Sequence, residues 1–221
     1  MNVLYVGSGN SAHLVNVIDL NKYTICCVNN AWRLFEDKSI YAWIHSGDFP
    51  KEQFPTKKNW NREVNYTEYT KSSKLAKQYF KWDAKSPAHH LGYTIFFLGL
   101  YWIMMTLRPN KISLLGFDHD YNPNKLKKWK DAGRPNIQNR HQNKSEKTIK
   151  QWGEKFFKGY QPDSFYGVHS TPDPMRLKLA TLTSKFKFAE KNAIKLGIDL
   201  GNLSPVVSDI NTLKKHHETA L

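Results

Sequence analysis

The chain has 221 residues, which is enough for one well-buried core and short for two, so we expect a single domain over residues 1–221. Its 33 Lys and Arg residues against 19 Asp and Glu residues give a net charge of +14, which favours anionic partners. No basic segment followed by a cleavable apolar stretch opens the sequence, and the longest apolar segment is short for a membrane span. Composition therefore argues against a secreted or membrane-spanning protein.

Three short apolar strands are predicted in the first fifty residues, over 3–6, 23–28 and 40–44. Each is followed by small polar residues, a pattern typical of a parallel sheet with a ligand crevice at its carboxyl edge. Adjacent Cys26 and Cys27 would point to opposite faces of the second strand and so cannot pair with each other. We predict reduced thiols and a cytoplasmic protein.

Fewer elements are predicted from residue 51 onward. Residues 51–85 form a polar stretch without a predicted element, 91–107 a buried helix, and 111–118 another core strand. An amphipathic helix is expected from about Asp173 to Gly197. A last strand over 198–200 and a polar tail containing Lys214, Lys215, His216 and His217 complete the prediction.

Residues 119–168 are rich in Lys, Arg and aromatic side chains and show little apolar periodicity. Fifty residues is too long for a passive connection, so we interpret this segment as an inserted lid or substrate-binding loop. The predicted fold class is therefore α/β, with a Rossmann-like parallel sheet flanked by helices and carrying a basic, aromatic lid.

A glycine-rich turn, GSGNS over residues 7–11, follows the first strand. Glycines allow a phosphate or ribose to approach the backbone, and amides and serine hydroxyls can donate hydrogen bonds to it. Ala12 replaces the third glycine of the dinucleotide fingerprint, and Asn29 and Asn30 follow the second strand where an acidic residue is expected. These departures argue against NAD binding, and the Asn pair suits either a base or ribose contact or a simple turn.

Asp118 and Asp120 flank one position after a strand and could hold a divalent metal between nucleotide phosphates. Asp118 could equally accept hydrogen bonds from backbone amides at the start of the lid. Zinc is disfavoured because the cysteines lack C-x-x-C spacing and the histidine pairs at 89–90 and 216–217 are immediate neighbours. We predict no metal cofactor.

His169 lies between the basic loop and the last long helix, in the motif YGVHS. A loop imidazole with a near-neutral pKa can take a proton from a hydroxyl, which makes His169 a candidate general base. A lone loop histidine can also be a surface or structural residue.

Five short motifs together resemble bacterial lipooligosaccharide sialyltransferases, which use CMP-sialic acid. They are GSGNS over 7–11, CVNN over 27–30, LGY over 91–93, ISLLGFD over 112–118 and YGVHS over 166–170. The motifs span most of the chain, and their order carries the resemblance because each is short.

The resemblance implies a single Rossmann-like domain of the GT-A-variant type with a lid, and metal-independent inverting glycosyl transfer with His169 as the base. Tyr121 would be the counterpart of a lid tyrosine that holds the leaving phosphate. The donor, a nucleotide sugar with CMP favoured, would meet these positions: Gly7, Ser8, Gly9, Asn10, Ser11, Asn29, His45, Leu91, Gly92, Gly116 and Asp118. Ser8 and His45 stand where that family has Asn, and Leu91 stands where it has Ser.

Two other functions fit the sequence. Between Lys125 and Lys158 basic residues alternate with aromatics, a mixture that can follow a phosphate backbone and stack on an extruded base. A DNA-modifying glycosyltransferase acting on a hydroxylated base is therefore one alternative, and a non-catalytic nucleotide or nucleic-acid binding module is another. The acceptor, glycan or DNA, and the oligomeric state stay open, and the tail after Ile210 could contact a membrane or a neighbouring subunit.

Overall fold

The computed structural model describes most of the sheet and its flanking helices. The described residues are 1–47, 49, 51, 54–82, 94–118, 179–205, 208 and 211–217. The predicted lid, Tyr121, His169, Leu91 and Gly92 lie outside these ranges, as do Asp120 and the start of the predicted helix at Asp173.

A six-stranded, all-parallel sheet forms the centre of the molecule. Its strands are β1 (Asn2–Val6), β2 (Thr24–Val28), β3 (Ile40–Ile44), β4 (Trp60–Val64), β5 (Lys111–Leu115) and β6 (Asp199–Asn202). The order across the sheet is β4-β3-β2-β1-β5-β6. The chain thus builds outward from β1 to β4 and then returns to add β5 and β6 on the other side. This topology confirms the α/β parallel sheet and is compatible with a Rossmann-like fold.

The two faces of the sheet carry different layers. Three α-helices pack on one face: α1 (Tyr66–Tyr79), α2 (Ile95–Trp102, continued by a π-helical turn over Ile103–Leu107) and α3 (Leu179–Lys195). Short 3-10 segments over Asn10–Asn16, Leu20–Lys22 and Asn29–Phe35 cover the other face. Residues 3–6 of β1 are fully buried, as a strand covered on both faces requires.

Helix α2 crosses the centre of the helical layer and is almost wholly apolar. Its polar groups are paired: the Tyr5 hydroxyl donates to the Phe96 carbonyl over 3.1 Å, and Asn192 Nδ2 of α3 donates to the Tyr101 hydroxyl over 2.8 Å. The π-helical turn ends at Arg108, which has a left-handed φ of 48°, and Pro109 follows. Among the described residues, no helix combines the length and apolar character needed to cross a membrane.

The structure shows more than the sequence predicted in two places. Residues 51–85 contain an edge strand, β4, and a helix, α1, where no element was predicted. The predicted polar tail packs on the sheet, because His216 is 8% exposed and its Nδ1 lies 2.9 Å from the Ser113 hydroxyl of β5. A main-chain hydrogen bond from His216 to the Asn202 carbonyl, 3.0 Å long, holds this segment beside β6.

Candidate functional site

The turns that follow β1, β2, β3 and β5 all lie at the carboxyl edge of the sheet, because the strands are parallel. From β1 the chain adds β2, β3 and β4 on one side, and it then adds β5 and β6 on the other side of β1. The direction in which strands are added therefore reverses between the neighbouring strands β1 and β5. In open α/β sheets, ligands bind in the crevice outside the strand ends at this reversal point. The carboxyl edge near β1 is therefore the expected position of a binding site.

The turns after β1 and β5 are hydrogen-bonded to each other. The Gly7 amide donates to the Leu115 carbonyl over 2.8 Å, and the Gly9 amide donates to the Gly116 carbonyl over 2.8 Å. A β-carbon on Gly7 would lie 2.5 Å from the Gly116 oxygen, and one on Gly9 would lie 2.7 Å from it. Contact between two turns of the chain itself therefore requires glycine at both positions, independently of any ligand.

Asp118 lies inside this junction and is 4% exposed. Its Oδ2 accepts the Ser11 amide over 2.8 Å, and its Oδ1 accepts the Ser11 hydroxyl and, over 2.6 Å, the Ser204 hydroxyl. The Ser11 hydroxyl also accepts the Gly116 amide over 3.0 Å. Ser11 and Asp118 thus join the ends of β1, β5 and β6, and Ser11, at 2% exposure, offers no open surface to a donor.

Asp118 had two interpretations from the sequence, as a ligand of a divalent metal and as an acceptor for backbone amides. Its carboxylate accepts a backbone amide, as the capping interpretation expected, although that amide belongs to Ser11 in the first turn and not to the lid. Among the described residues, no group of three or more His, Cys, Asp or Glu side chains could hold a metal ion.

Ser8 and Asn29 present the more accessible polar groups of this edge, since both are half-buried. Asn29 has a left-handed φ of 46°, and its Oδ1 accepts the Ser46 amide over 3.2 Å. Its carbonyl accepts the Trp43 indole N–H over 2.9 Å. These bonds orient Asn29 from both sides, and no described residue accepts a hydrogen bond from its Nδ2.

His45 follows β3 and is 7% exposed. Its Nε2 lies 3.0 Å from Glu63 Oε1, its Nδ1 lies 3.2 Å from the Ser46 carbonyl, and its ring stacks on Trp43 with centroids 4.5 Å apart. Both partners are acceptors, so the imidazolium form donates both bonds whereas a neutral ring donates one. These contacts fix the position of the His45 ring at the end of β3.

Three residues of this edge were missed from the sequence: Glu63, Ser204 and Lys215. Lys215 Nζ donates to the Ser204 carbonyl over 2.5 Å. Burial lowers the pKa of Lys215, and the nearby Asp118 carboxylate opposes that change. No local motif in the sequence marks these positions. Glu63 lies in β4, where it pairs with Trp43 of β3.

A cavity of about 690 Å³ opens elsewhere, at the opposite, amino edge of the sheet. It is bordered by residues 36–39 and 57–61, and its charged side chains are Glu36, Asp37, Lys38, Lys57 and Lys58. None of the predicted donor residues borders it, and its charges are of mixed sign.

Comparisons with models of known protein families, with curated proteins and with solved structures found no match.

Proposed function

We propose that this protein is a nucleotide-sugar-dependent glycosyltransferase, with a CMP-sugar as the favoured donor and a GT-A-variant form of the Rossmann-like fold. One observation carries the proposal. Ser8, Asn29 and His45 were singled out in three separate sequence segments, and they follow three adjacent strands at one edge. That edge includes the reversal point where open α/β sheets bind ligands.

The accessible groups suit a nucleotide in different ways. The Ser8 hydroxyl and the Asn29 amide can donate hydrogen bonds to ribose or base oxygens, since neither is fully buried. The internal pairing of Ser11 and Asp118 then has a supporting role, because it fixes the turn that carries Ser8.

In the proposed reaction, His169 removes a proton from the acceptor hydroxyl as its oxygen attacks the anomeric carbon of the donor. The bond from that carbon to the nucleotide phosphate breaks, and the phosphate leaves with the electron pair. Tyr121 and basic lid residues stabilise the growing phosphate charge, which is the interaction that strengthens in the transition state. A divalent metal is not required, and the free, buried thiols of Cys26 and Cys27 agree with a cytoplasmic setting.

The test is a panel of CMP-, UDP- and GDP-sugars incubated with the full chain, with and without EDTA. Thermal stabilisation would report binding, and release of free nucleotide would report transfer or donor hydrolysis. We expect stabilisation by a CMP-sugar and nucleotide release that EDTA does not reduce. A preference for a UDP-sugar would change the donor and keep the reaction class.

His169→Ala is expected to retain stabilisation by the donor and to lose at least about 100-fold in nucleotide release, the usual contribution of a general base. His217→Ala, at an exposed histidine outside the predicted lid, serves as the matched control and should keep its activity. Equal release by the His169 variant would remove the base assignment. An absence of stabilisation and release with every donor would favour a binding module, and DNA would be the next ligand to test.

A further inference from the structure

A second surface lies at the amino edge of the sheet, where the described helices α1, α2 and α3 end. α1 starts beside the end of β4, while α2 and α3 lead into the starts of β5 and β6. Arg108, between α2 and β5, lies 4.9 Å from the ring centroid of Tyr79 in α1. In the same loop the Asn110 carbonyl accepts the Asp199 amide over 2.9 Å. The end of α1 therefore contacts this loop through Tyr79, and the start of β6, which follows α3, contacts it through Asp199.

Large apolar side chains are exposed on this surface. Leu75 is 52% exposed, Tyr79 is 53% exposed and Ile194 is 69% exposed. Leu75 and Tyr79 are four residues apart and so share a face of α1. Single exposed apolar residues are ordinary, but here three lie in the last turns of two helices that end at the same edge of the sheet. We call this the amino-edge surface and define it by Lys74, Leu75, Tyr79, Arg108, Lys191 and Ile194.

The charge of the amino-edge surface is positive. α1 and α3 contain one acidic residue each, Glu68 and Glu190. Glu68 lies in the first turn of α1, away from this surface, and its carboxylate is paired with Arg62 over 2.8 Å. Lysines near helix C-termini complement the helix dipole, which explains part of the pattern. The dipole does not explain why apolar side chains are exposed among them.

We propose that the amino-edge surface binds an anionic lipid membrane. Aliphatic side chains flanked by lysines are the composition of interfacial helices, whose apolar groups enter the boundary between headgroups and acyl chains. The lysine stems extend along this apolar surface while their charges meet lipid phosphates. A single-stranded nucleic acid fits less well, because Leu75 and Ile194 offer no aromatic face for base stacking.

The sheet keeps this surface apart from the proposed donor site. A five-residue strand spans roughly 16 Å, and the two surfaces lie at its opposite ends. A membrane-bound molecule would therefore hold its carboxyl edge toward water, and nucleotide and membrane would bind at the same time. The membrane proposal does not depend on the proposed enzymatic function, so each can fail without the other.

The test is sedimentation of the full chain with vesicles of phosphatidylcholine and phosphatidylserine, compared with vesicles of phosphatidylcholine alone. We expect binding to the anionic vesicles only, and less of it as salt is raised. Lys74→Glu combined with Lys191→Glu should lower the partition coefficient by at least about twenty-five-fold, since the loss of each lysine near an anionic surface removes about five-fold and the new carboxylates are repelled as well. Leu75→Asn combined with Ile194→Asn should weaken binding without changing the net charge.

The matched control compares two single variants, Lys51→Glu and Lys191→Glu, which make the same change in net charge. Lys51 is exposed in the loop that follows β3, at the carboxyl edge. The Lys51 variant should bind vesicles more tightly than the Lys191 variant, and far-ultraviolet circular dichroism should show all variants folded. Equal loss in both charge variants, no binding by the unaltered chain, or binding of labelled single-stranded DNA in place of vesicles would overturn the proposal.

Discussion

At the scale of single residues, the residues of the carboxyl edge fall into two groups. Some hold the turns together, and others can contact a ligand. Gly7, Gly9, Ser11 and Asp118 were all interpreted from the sequence as donor contacts. The structure uses them to join the ends of β1 and β5, through contacts between residues more than a hundred positions apart. A motif such as GSGNS predicts a tight turn, but only the fold shows which residues contact that turn.

Gly116 and Gly197 provide a direct test of that junction, because their backbones have nearly equal φ values of 72° and 70°. A β-carbon at Gly116 would lie 2.4 Å from the Gly7 carbonyl oxygen, whereas one at Gly197 would have no atom within 4 Å. We expect Gly197→Ala to cost about 1 kcal/mol of unfolding free energy, from left-handed strain alone. Gly116→Ala should cost about 3 kcal/mol or more, because the backbone must also shift. Urea unfolding measures both, and equal costs would contradict the packing account.

Asn29 is predicted to contact the nucleotide with its side chain. Asn29→Gly should keep most of the unfolding free energy, since glycine adopts the left-handed φ of this position without strain. Its affinity for CMP should fall about ten-fold, the effect of losing one or two hydrogen bonds. Isothermal titration calorimetry measures the change, with Asn21→Gly at the amino edge as the control. Unchanged CMP affinity in the Asn29 variant would remove this residue from the site.

At the scale of elements, apolar strands and the apolar helix could be predicted, whereas β4 and α1 could not. Only Val64 of β4 is buried, as suits an edge strand, so the segment lacks alternation. α1 buries Tyr69, Ser72, Ser73 and Ala76, and small polar residues on the buried face conceal the helical period. Prediction from hydrophobic pattern fails where a buried face is built from serine and alanine.

The C-terminal segment shows a second limit of prediction. His216 was assigned to a polar tail, yet its ring lies between Ser113 of β5 and Asp199 of β6. Its Nδ1 can accept the Ser113 hydroxyl while its Nε2 donates to Asp199, so the neutral ring satisfies both partners. No feature of the local sequence reveals these long-range partners, because they depend on how the strands are ordered.

A pH dependence of stability follows from His216. Burial lowers its pKa below the ordinary value of 6.5, although the bond to Asp199 opposes this. As the pH falls below 6.5, the unfolded chain takes up a proton before the folded chain does, so the unfolding free energy decreases. His216→Asn should therefore show a smaller loss of stability than the unaltered chain between about pH 7 and pH 5. His217→Asn, the exposed neighbour, should keep the original slope in urea unfolding at these pH values.

At the scale of the whole molecule, the parallel sheet gives the protein two different edges. The carboxyl edge gathers the polar turns and the reversal point, and the amino edge gathers basic and apolar helix ends. The fold class was predictable because strands 3–6, 23–28 and 40–44 ended in turn residues. The strand order was not, because it requires β5 to pair with β1 across more than a hundred intervening residues. That pairing creates the reversal point at which the proposed donor site lies.

The most direct measurement is a crystal structure of the full chain grown with CMP. We predict nucleotide density at the carboxyl ends of β1 and β2, with the ribose or base within hydrogen-bond distance of Ser8 or Asn29. Density in the amino-edge cavity beside Lys57 and Lys58, or a chain that takes up no nucleotide, would contradict the account.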